Sequence, residues 1–220
     1  MSIEIKVSEL SHGFDDGSQS IKLLNNVNAL FEAKKLTAIT GMSGCGKSTL
    51  LTFLAGLDAP ESGQIKYIDT STNRRIYRRD LKKCMSLIFQ QFHLLPELNT
   101  VQNIAFPLLL RGDKRAIDKA KFWLDKINLT AACNRPIHQL SGGEQQRVAI
   151  ARAFVTEPKI IFADEPTGSL DSSTGAYIQA LLYDFCKSVD TTTILVTHNE
   201  QLAKSADQQL TFIDRKLMQA

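Results

Sequence analysis

Hydrophobic and polar positions near the start of the chain alternate with the period of a β-strand. The segments "IEIKVSEL" and "VNALF" both show this pattern and are predicted to be strands. Three further β-rich segments are predicted to be strands: "KLTAIT", which ends at Gly41, then "QIKYI", and then "CMSLIFQ", a buried strand that ends at Gln90. Between the first two of these, a helix is predicted to start near Lys47 and to run through "STLLTFLAGL".

The spacing changes after Gln90, and the chain reads as mostly helical from Gln91 to about Pro158. In "KRAIDKAKFWLDKINL" the helical period predicts one apolar face, made by Ile117, Ala120, Leu124 and Ile127. Phe122 and Trp123 lie in the same segment and are predicted to be packing residues of this helical block.

The β pattern returns with "KIIFADEP" and "TTTILVTH", and a helix is predicted after each. Strands that alternate with helices favour an α/β fold with a mostly parallel, twisted sheet. The helical block then reads as an insertion into that sheet. We therefore predict a single domain over residues 1–220, with a core of residues 1–90 and 159–220 and a helical subdomain of residues 91–158.

The composition changes this picture little. The chain has 220 residues, of which 43% are hydrophobic and 22% charged, as is typical of a soluble globular protein. A net charge of +3 is too small to indicate nucleic-acid binding. No apolar run is long enough to span a bilayer, the N-terminus lacks the apolar region of a signal peptide, and the four cysteines form no C-x-x-C pair. These features favour a reducing cytoplasm.

The first chemical motif is "GMSGCGKS", which matches G-x-x-x-x-G-K-[ST] between a predicted strand and a predicted helix. Its glycines let backbone N–H groups turn toward phosphate oxygens at the start of a helix. In this motif Lys47 reaches the β- and γ-phosphates, and the Ser48 hydroxyl ligates Mg²⁺. The predicted phosphate-binding residues are Gly41, Met42, Ser43, Gly44, Cys45, Gly46, Lys47, Ser48 and Thr49.

A second motif, "KIIFADEP", places Asp164 and Glu165 at the carboxyl end of an apolar strand. Ligands of parallel sheets bind at this edge. Asp164 is suited to hold the Mg²⁺ shell, and Glu165 is suited to polarise an attacking water. A pair of solvated acids at the end of a strand is the simpler alternative.

A third motif, "LSGGEQQR", puts Ser141, Gly142 and Gly143 directly before a predicted helix. Such a helix start can bind an anion, and the glycines let it approach closely. Ser141 with Glu144 three residues later is also a capping box, which many helices have without binding anything. Ser141 can serve both purposes.

Taken in order, these motifs resemble those of the ATP-binding subunit of an ABC transporter, over essentially the whole chain. "GMSGCGKST" is similar to the Walker A motif, "LSGGEQQR" to the family signature and "IIFADE" to the Walker B motif. Asp171 in "GSLD" falls in the D-loop, Gln90 at the Q-loop and His198 at the switch histidine. Phe14 stands where the family usually has a tyrosine that stacks on adenine. Within the family, the chain resembles ATPases of lipoprotein-release, macrolide-export and cell-division complexes.

The resemblance implies a P-loop NTPase core with an antiparallel β subdomain and an inserted helical subdomain. It also implies ATP and Mg²⁺, and a homodimer in which each ATP lies between the P-loop of one subunit and the signature of the other. His198 then contacts the γ-phosphate and Asp171 meets the partner's site. Gln90 joins the Mg²⁺ shell and senses the γ-phosphate. The predicted catalytic residues are Glu165, His198, Lys47 and Gln90.

The function implied is ATP hydrolysis that drives a membrane subunit, at the cytoplasmic side of the inner membrane. A permease-type subunit is expected to dock near Gln90–Leu95, where Phe92, Leu94 and Leu95 are candidates for a groove. A non-transport regulator of the cell-division type stays open as an alternative. A nucleic-acid-associated ATPase fits less well, because the chain has one Walker A motif, one signature and no heptads. The basic segment Asn73–Lys83 is either a solvated face or a contact for anionic lipid headgroups.

Overall fold

The structure is a computed structural model that describes residues 1–15, 20–168 and 170–219, with side chains at all of these except 14, 15, 20 and 21. The backbone divides into two compact units. The first contains Met1–Met85, Lys159–Glu165 and Asp190–Ala220, and the second contains Ser86–Pro158 and Pro166–Val189. The division into a core of 1–90 and 159–220 and a helical subdomain of 91–158 stays a prediction.

The first unit contains an antiparallel sheet of four strands, in the order β2-β1-β4-β5. These strands are β1 (Ile3–Asp15), β2 (Ser20–Phe31), β4 (Ser62–Asp69) and β5 (Arg74–Ile76). The alternation that predicted β1 corresponds to a buried row of Ile3, Ile5 and Val7. Ile5 lies opposite Phe31 on one side and Tyr67 on the other, so the row faces a continuous apolar surface.

The second sheet of this unit is mostly parallel, as predicted. It contains β3 (Leu36–Thr40), β7 (Ile160–Asp164), β8 (Thr192–Val196), β9 (Gln208–Ile213) and β10 (Lys216–Gln219). Strands β9, β3, β8 and β7 run parallel, and β10 returns antiparallel to β9. All five residues of β8 are buried, which explains its continuous apolar and threonine-rich sequence.

Three short helices belong to the first unit: α1 (Lys47–Leu54), α2 (Arg78–Leu81) and α7 (Glu200–Lys204). The prediction that α1 continues to Leu57 is wrong. The helix ends at Leu54 because Gly56 has a φ of 65°, a left-handed conformation that no α-helix continues through. The amide of Leu57 instead donates to the Thr52 carbonyl.

The second unit is helical, with α3 (Thr100–Leu110), α4 (Ala116–Lys126), α5 (Gly142–Phe154) and α6 (Ser172–Ser188). Strand β6 (Met85–Ile88) begins at the division between the units. An aromatic cluster joins three of the helices, with the Trp123 ring 5.7 Å from Phe154 and 5.0 Å from Phe185. The prediction that Trp123 is a packing residue is therefore confirmed.

The predicted helical segment "TVQNIAFPLLL" is α3, which the Asn99 side chain caps. Three other predictions for this region are wrong. Strand β6 ends at Ile88, and only Ile88 is fully buried. Ile117 is 36% exposed, and Ala116 is buried in α4 in its place. Phe122 is 58% exposed, and its ring is covered by the Lys126 ammonium at 5.3 Å. The Lys126 ammonium shields the Phe122 ring from water without burying it.

Helices α5 and α6 contact each other at Gly143. A Cβ atom at this position would lie 2.4 Å from Cγ2 of Thr174, a distance that real side chains do not tolerate. A Cβ at the neighbouring Gly142 would meet only Leu170 at 3.7 Å and Phe92 at 3.8 Å, which is ordinary contact. A residue larger than glycine at position 143 therefore forces Thr174 to shift, whereas position 142 permits a larger residue.

We expect Gly143→Ala to lower the free energy of unfolding by about 1–3 kcal/mol, because the added methyl overpacks the contact with Thr174. Thermal or urea unfolding of the protein without nucleotide measures the effect. Gly142→Ala is the matched control and should change stability little. Thr174→Ser removes the opposing methyl, so the double variant Gly143→Ala/Thr174→Ser should recover most of the lost free energy of unfolding. A Gly143→Ala variant as stable as the wild type would contradict the packing argument.

Candidate active site

The turn between β3 and α1 is a loop built on three glycines with positive φ. These are Gly41 at 146°, Gly44 at 75° and Gly46 at 104°. A Cβ at Gly41 would lie 2.7 Å from Cβ of Phe212, and a Cβ at Gly46 would lie 3.2 Å from Leu24. The chain thus turns in conformations and at distances that suit glycine, directly into the N-terminus of α1.

Lys47 is the first residue of α1, and its side chain folds back over this loop. Its ammonium donates to the carbonyls of Gly41 at 2.9 Å and Met42 at 2.8 Å, and lies 3.9 Å from the Cys45 sulfur. Only 5% of the residue is exposed. A buried cation held by neutral carbonyls is well placed to attract an anion into the loop.

Ser48 follows Lys47 and makes the contact between the loop and β7. Its hydroxyl donates to Oδ1 of Asp164 at 3.0 Å. Burial raises the pKa of Asp164, with a contribution from the nearby charge of Glu165, and the Ser48 bond and Lys47 oppose the rise. One hydroxyl and one carboxylate are the kind of oxygen donors that Mg²⁺ takes when phosphates complete its shell, so these residues fit that ion.

Glu165 lies just past the end of β7, and its backbone N–H donates to the Val196 carbonyl at 2.9 Å. Its φ is 43°, an unusual value for a residue with a side chain. Nδ1 of His198 lies 2.8 Å from its Oε2 atom. The carboxylate is 23% exposed and the imidazole 65%, so water reaches both groups. A carboxylate oriented by a histidine at a solvent-accessible edge is suited to general-base chemistry.

The loop after β8 also holds His198 in place. The Thr197 amide donates to the Ile39 carbonyl at 3.1 Å, and the Thr197 hydroxyl accepts from the Asn199 amide at 3.0 Å. The Asn199 side chain then caps α7 by accepting from the Leu202 amide. His198 is therefore fixed on both sides by backbone bonds of its neighbours.

In the second unit, the start of α5 is the capping box that the sequence predicts. Ser141 Oγ accepts from the Glu144 amide at 3.3 Å, and Glu144 Oε2 accepts from the Ser141 amide at 2.8 Å. This backbone bond is the main reason that the pKa of Glu144 is lowered. A side-chain hydrogen bond with Ser141 also contributes to the lowered pKa of Glu144, so the Ser141 hydroxyl itself contacts the carboxylate in this box.

Asp171 begins α6 in the same way. Its Oδ1 atom accepts from the Ser173 hydroxyl at 2.6 Å and from the Thr174 amide at 3.0 Å. The Ser173 bond is the first cause of its lowered pKa. Sequence reasoning assigned Asp171 only to a partner's site and did not identify this capping role, although Asp before a helical pattern is the usual signal.

Gln146 is a polar residue that sequence reasoning also overlooked. It is fully buried on α5, and its Nε2 donates to the Pro166 carbonyl at 2.5 Å. It shares the buried stripe of α5 with Ala149, Ile150 and Ala153, at helical spacing. That spacing is the signal that identifies it. The bond fastens the residue after Glu165 to the helix that begins at Ser141.

Gln90, Phe14 and three positions in or beside the phosphate loop complete the predicted site residues. Gln90 is exposed and lies two residues after β6, in the second unit. Met42, Ser43 and Thr49 lie in or just after the loop, and Met42 is 83% exposed. Phe14 belongs to β1, but its side chain lies outside the described part of the structure, so adenine stacking stays a prediction.

Known proteins share both this sequence and this fold. The family model described as ABC transporter matches residues 24–168. The lipoprotein-releasing system ATP-binding protein LolD of Hahella chejuensis is 40% identical over 210 residues, which cover 93% of this chain and 91% of that protein. No helix in the described ranges is both long and apolar enough to cross a membrane.

Solved structures of ABC transporter cassettes are also similar to this chain. The dimeric structure of MJ0796, described as a bacterial ABC transporter cassette, has a TM-score of 0.83, with 32% identity over 98% of this chain and 97% of that chain. A second structure of that cassette, a dimeric post-hydrolysis state bound to ADP and Pi, has a TM-score of 0.82 at 31% identity, over 98% of both chains. The chain therefore belongs to the ABC transporter family, as an ATP-binding subunit of the LolD-like group that hydrolyses ATP.

Proposed function

We propose that this chain is the ATPase of a membrane-bound transport complex and works as a head-to-tail dimer of two copies. The observation that carries the proposal is the Glu165–His198 pair, 2.8 Å apart at the carboxyl edge of the parallel sheet. The phosphate loop starts from the same edge, at the end of β3. Hydrolysis of a phosphoanhydride requires water, a carboxylate that orients it and a site that binds the phosphates.

In this proposal Glu165 orients the attacking water and accepts its proton. His198 is proposed to donate from Nδ1 to Glu165, and in its protonated form Nε2 also carries a hydrogen that can be donated to a γ-phosphate oxygen. Lys47 exchanges part of its carbonyl contacts for the β- and γ-phosphate oxygens. The amides at the start of α1 supply the remaining donors.

Ser48 and Asp164 are proposed to hold Mg²⁺, and Gln90 is proposed to complete the protein's share of its shell. When bound, this ion would offset charge on the β- and γ-phosphates. Asp164 is suited to the task because its carboxylate is partly desolvated, and a nearby cation would stabilise the charged form that burial disfavours.

The start of α5 is a second possible anion-binding site, in addition to the phosphate loop, and it is the reason that two copies are proposed. The amides of Gly142 and Gly143 lie in the first turn of α5, directly after Ser141, and have no intrahelical acceptor. A phosphate bound to a partner's loop would meet these donors. The similar MJ0796 cassette is described as dimeric, which supports this arrangement. Asp171 is proposed to meet the partner's site while it caps α6.

The membrane subunit is proposed to dock on residues 90–95. The segment has no regular structure, yet it is held firmly by side chains of the second unit. Arg152 donates to the carbonyls of Phe92 at 2.8 Å and His93 at 2.7 Å. Asn103 accepts from the Leu95 amide and donates to the Leu95 carbonyl. Phe92, Leu94 and Leu95 are only half-buried, so a firm backbone presents part of each apolar side chain.

We expect Glu165→Gln to bind ATP but to hydrolyse it about 10²–10⁴-fold more slowly, because the amide cannot accept a proton. ATP and Mg²⁺ should then convert the variant from monomer to dimer in size-exclusion chromatography. Glu200→Gln, at an exposed glutamate on α7, is the matched control and should behave as wild type. Wild-type turnover by Glu165→Gln would refute the role of Glu165.

We expect Asp164→Asn to raise the melting temperature of the nucleotide-free protein at pH 7 and to weaken Mg²⁺-dependent ATP binding. The pKa of Asp164 is raised by burial, so its ionised form costs stability above the folded pKa. That cost disappears when the pH is below the pKa that Asp164 has in the unfolded chain. The melting temperatures of the wild type and of Asp164→Asn should therefore converge as the pH falls toward 4. A variant less stable than wild type at pH 7 would show that the carboxylate stabilises the fold.

We expect Leu94→Glu to fold and hydrolyse ATP normally but to be lost from membranes in cells that contain the complex. A charged side chain would disrupt an apolar docking groove while it remains half-solvated in the isolated protein. Leu110→Glu, at a leucine that is 72% exposed at the end of α3, is the control. Melting temperature and membrane fractionation measure the two effects. If stable Leu94→Glu reaches the membrane like the control, the docking site is not at Leu94.

A further inference from the structure

The basic segment Asn73–Lys83 concentrates the positive charge of the chain. It contains six of the 26 lysines and arginines and one of the 23 acids, so its net charge is +5, while the rest of the chain carries −2. The segment lies entirely in the first unit, where it includes β5 and α2. None of its residues has a role in the ATPase site proposed above.

Most of these charges are exposed and uncompensated. Asp80 is the acid of the segment, and it pairs with Lys83 at 2.8 Å and Arg79 at 3.5 Å. Within the described ranges, no carboxylate forms an ion pair with Arg74, Arg75 or Lys82, which are all exposed. Unpaired cations this close together repel one another, so an anionic surface nearby would lower their energy.

Tyr77 lies at the centre of the cluster and is 59% exposed. The guanidinium of Arg75 lies 5.9 Å from the centre of its ring, and that of Arg79 lies 5.8 Å from it. At these distances each guanidinium is attracted to the face of the ring. An exposed tyrosine between two arginines is also the composition that suits a membrane–water interface, where the ring meets the headgroup level and the cations meet phosphates.

The backbone beneath these side chains is anchored. Ile76 and Leu81 are buried, and Nε of Arg78 donates to the Gly56 carbonyl at 2.6 Å. A cleft of about 290 Å³ opens beside Tyr77, with Arg75 and Arg78 among its lining residues. Asp58 also lines this cleft, so an anionic headgroup is expected to meet the exposed cations around Tyr77 and not the interior of the cleft. The cationic groups project from a firm base.

Protection of a sheet edge does not explain the whole cluster. β5 is the last strand of its sheet, and charged residues on such a strand discourage pairing with other chains. That purpose accounts for Arg74 and Arg75. It does not account for the cations from Arg78 to Lys83 or for the exposed ring of Tyr77, which lie beyond the strand.

We propose that the basic segment binds the anionic phospholipid headgroups of the membrane beside which the complex works. This rests on the proposed membrane location of the chain and adds a direct lipid contact to the contact with the membrane subunit. Stacking and charge also suit single-stranded nucleic acid. We favour lipid because the chain is proposed above to work in a membrane-bound complex and Tyr77 between two arginines suits a membrane–water interface, and nucleic acid is one outcome of the test.

The test is flotation of the purified protein with vesicles, without nucleotide or membrane subunit. Vesicles of phosphatidylcholine with about 30% phosphatidylglycerol provide a negative surface, and pure phosphatidylcholine vesicles do not. We expect binding only to the anionic vesicles, and its loss as NaCl rises from about 0.05 M to about 0.5 M. Failure to prefer anionic vesicles at low salt would overturn the proposal.

Arg75→Gln/Arg79→Gln tests the cluster itself. Each cation near an anionic surface contributes about a fivefold change in partitioning, so the pair should reduce vesicle binding about 25-fold. Lys114→Gln/Lys121→Gln removes the same charge from exposed lysines of the second unit and should reduce it far less. Arg75→Lys/Arg79→Lys should retain most of the binding, which shows that lost charge, and not a damaged fold, explains the glutamine variant.

Two further readouts separate the possible results. ATP hydrolysis measured on the same samples should be unchanged in all three variants, so a failure of lipid binding leaves the ATPase proposal untouched. Vesicle binding by Arg75→Gln/Arg79→Gln equal to that of the lysine control would overturn the assignment to this segment. Tighter binding to a single-stranded oligonucleotide than to anionic vesicles would replace the lipid with nucleic acid.

Discussion

The pairing of β3, β8 and β7 determines where the chemistry of this protein lies. Ile39, Val196 and Asp164 occupy matching positions on the three parallel strands. The ladder then continues one residue further, because the Thr197 amide donates to the Ile39 carbonyl and the Glu165 amide to the Val196 carbonyl. The two loops that carry Glu165 and His198 are therefore held by backbone bonds of the sheet. Their 2.8 Å contact depends on this register, since a slip of one residue would turn each side chain to the opposite face.

The groups of the first unit that are proposed to bind phosphate and metal reduce the stability of the fold. Lys47 is a buried cation whose ammonium donates to two neutral carbonyls, and the pKa of Asp164 is raised because burial disfavours its charge. Glu165 also holds a backbone conformation that side chains disfavour. These costs are offset when opposite charges bind. An ATPase that must bind and release its nucleotide benefits from a site that is stabilised by the ligand and not by the fold alone.

In the second unit, side chains at the N-termini of α5 and α6 hold both helices in place through hydrogen bonds. Ser141 and Glu144 accept from each other's amides where α5 begins, and Asp171 accepts from the Thr174 amide where α6 begins. The same two helices touch so closely at Gly143 and Thr174 that a methyl group does not fit. From α5, Gln146 reaches the Pro166 carbonyl and Arg152 reaches the carbonyls of Phe92 and His93. One helix thus joins the signature residues to the segment proposed to receive the membrane subunit. A shift of α5 would move both.

The sequence by itself determined the α/β class, the parallel sheet, the loop at Gly41–Ser48, the capping box at Ser141 and the family. These features depend on local spacing, because a strand, a glycine turn and a helix cap are each specified within a few residues. Tertiary structure alone decided the exposure of Ile117 and Phe122, since helical period shows which residues share a face but not how far a neighbouring helix covers it. It also decided the contacts of Gln146 and Arg152, whose partners lie 20 and about 60 residues away. A polar residue on a buried face can be identified from the pattern of the sequence. Its hydrogen-bond partner depends on which distant segment of the chain packs against that face, and no local signal encodes this.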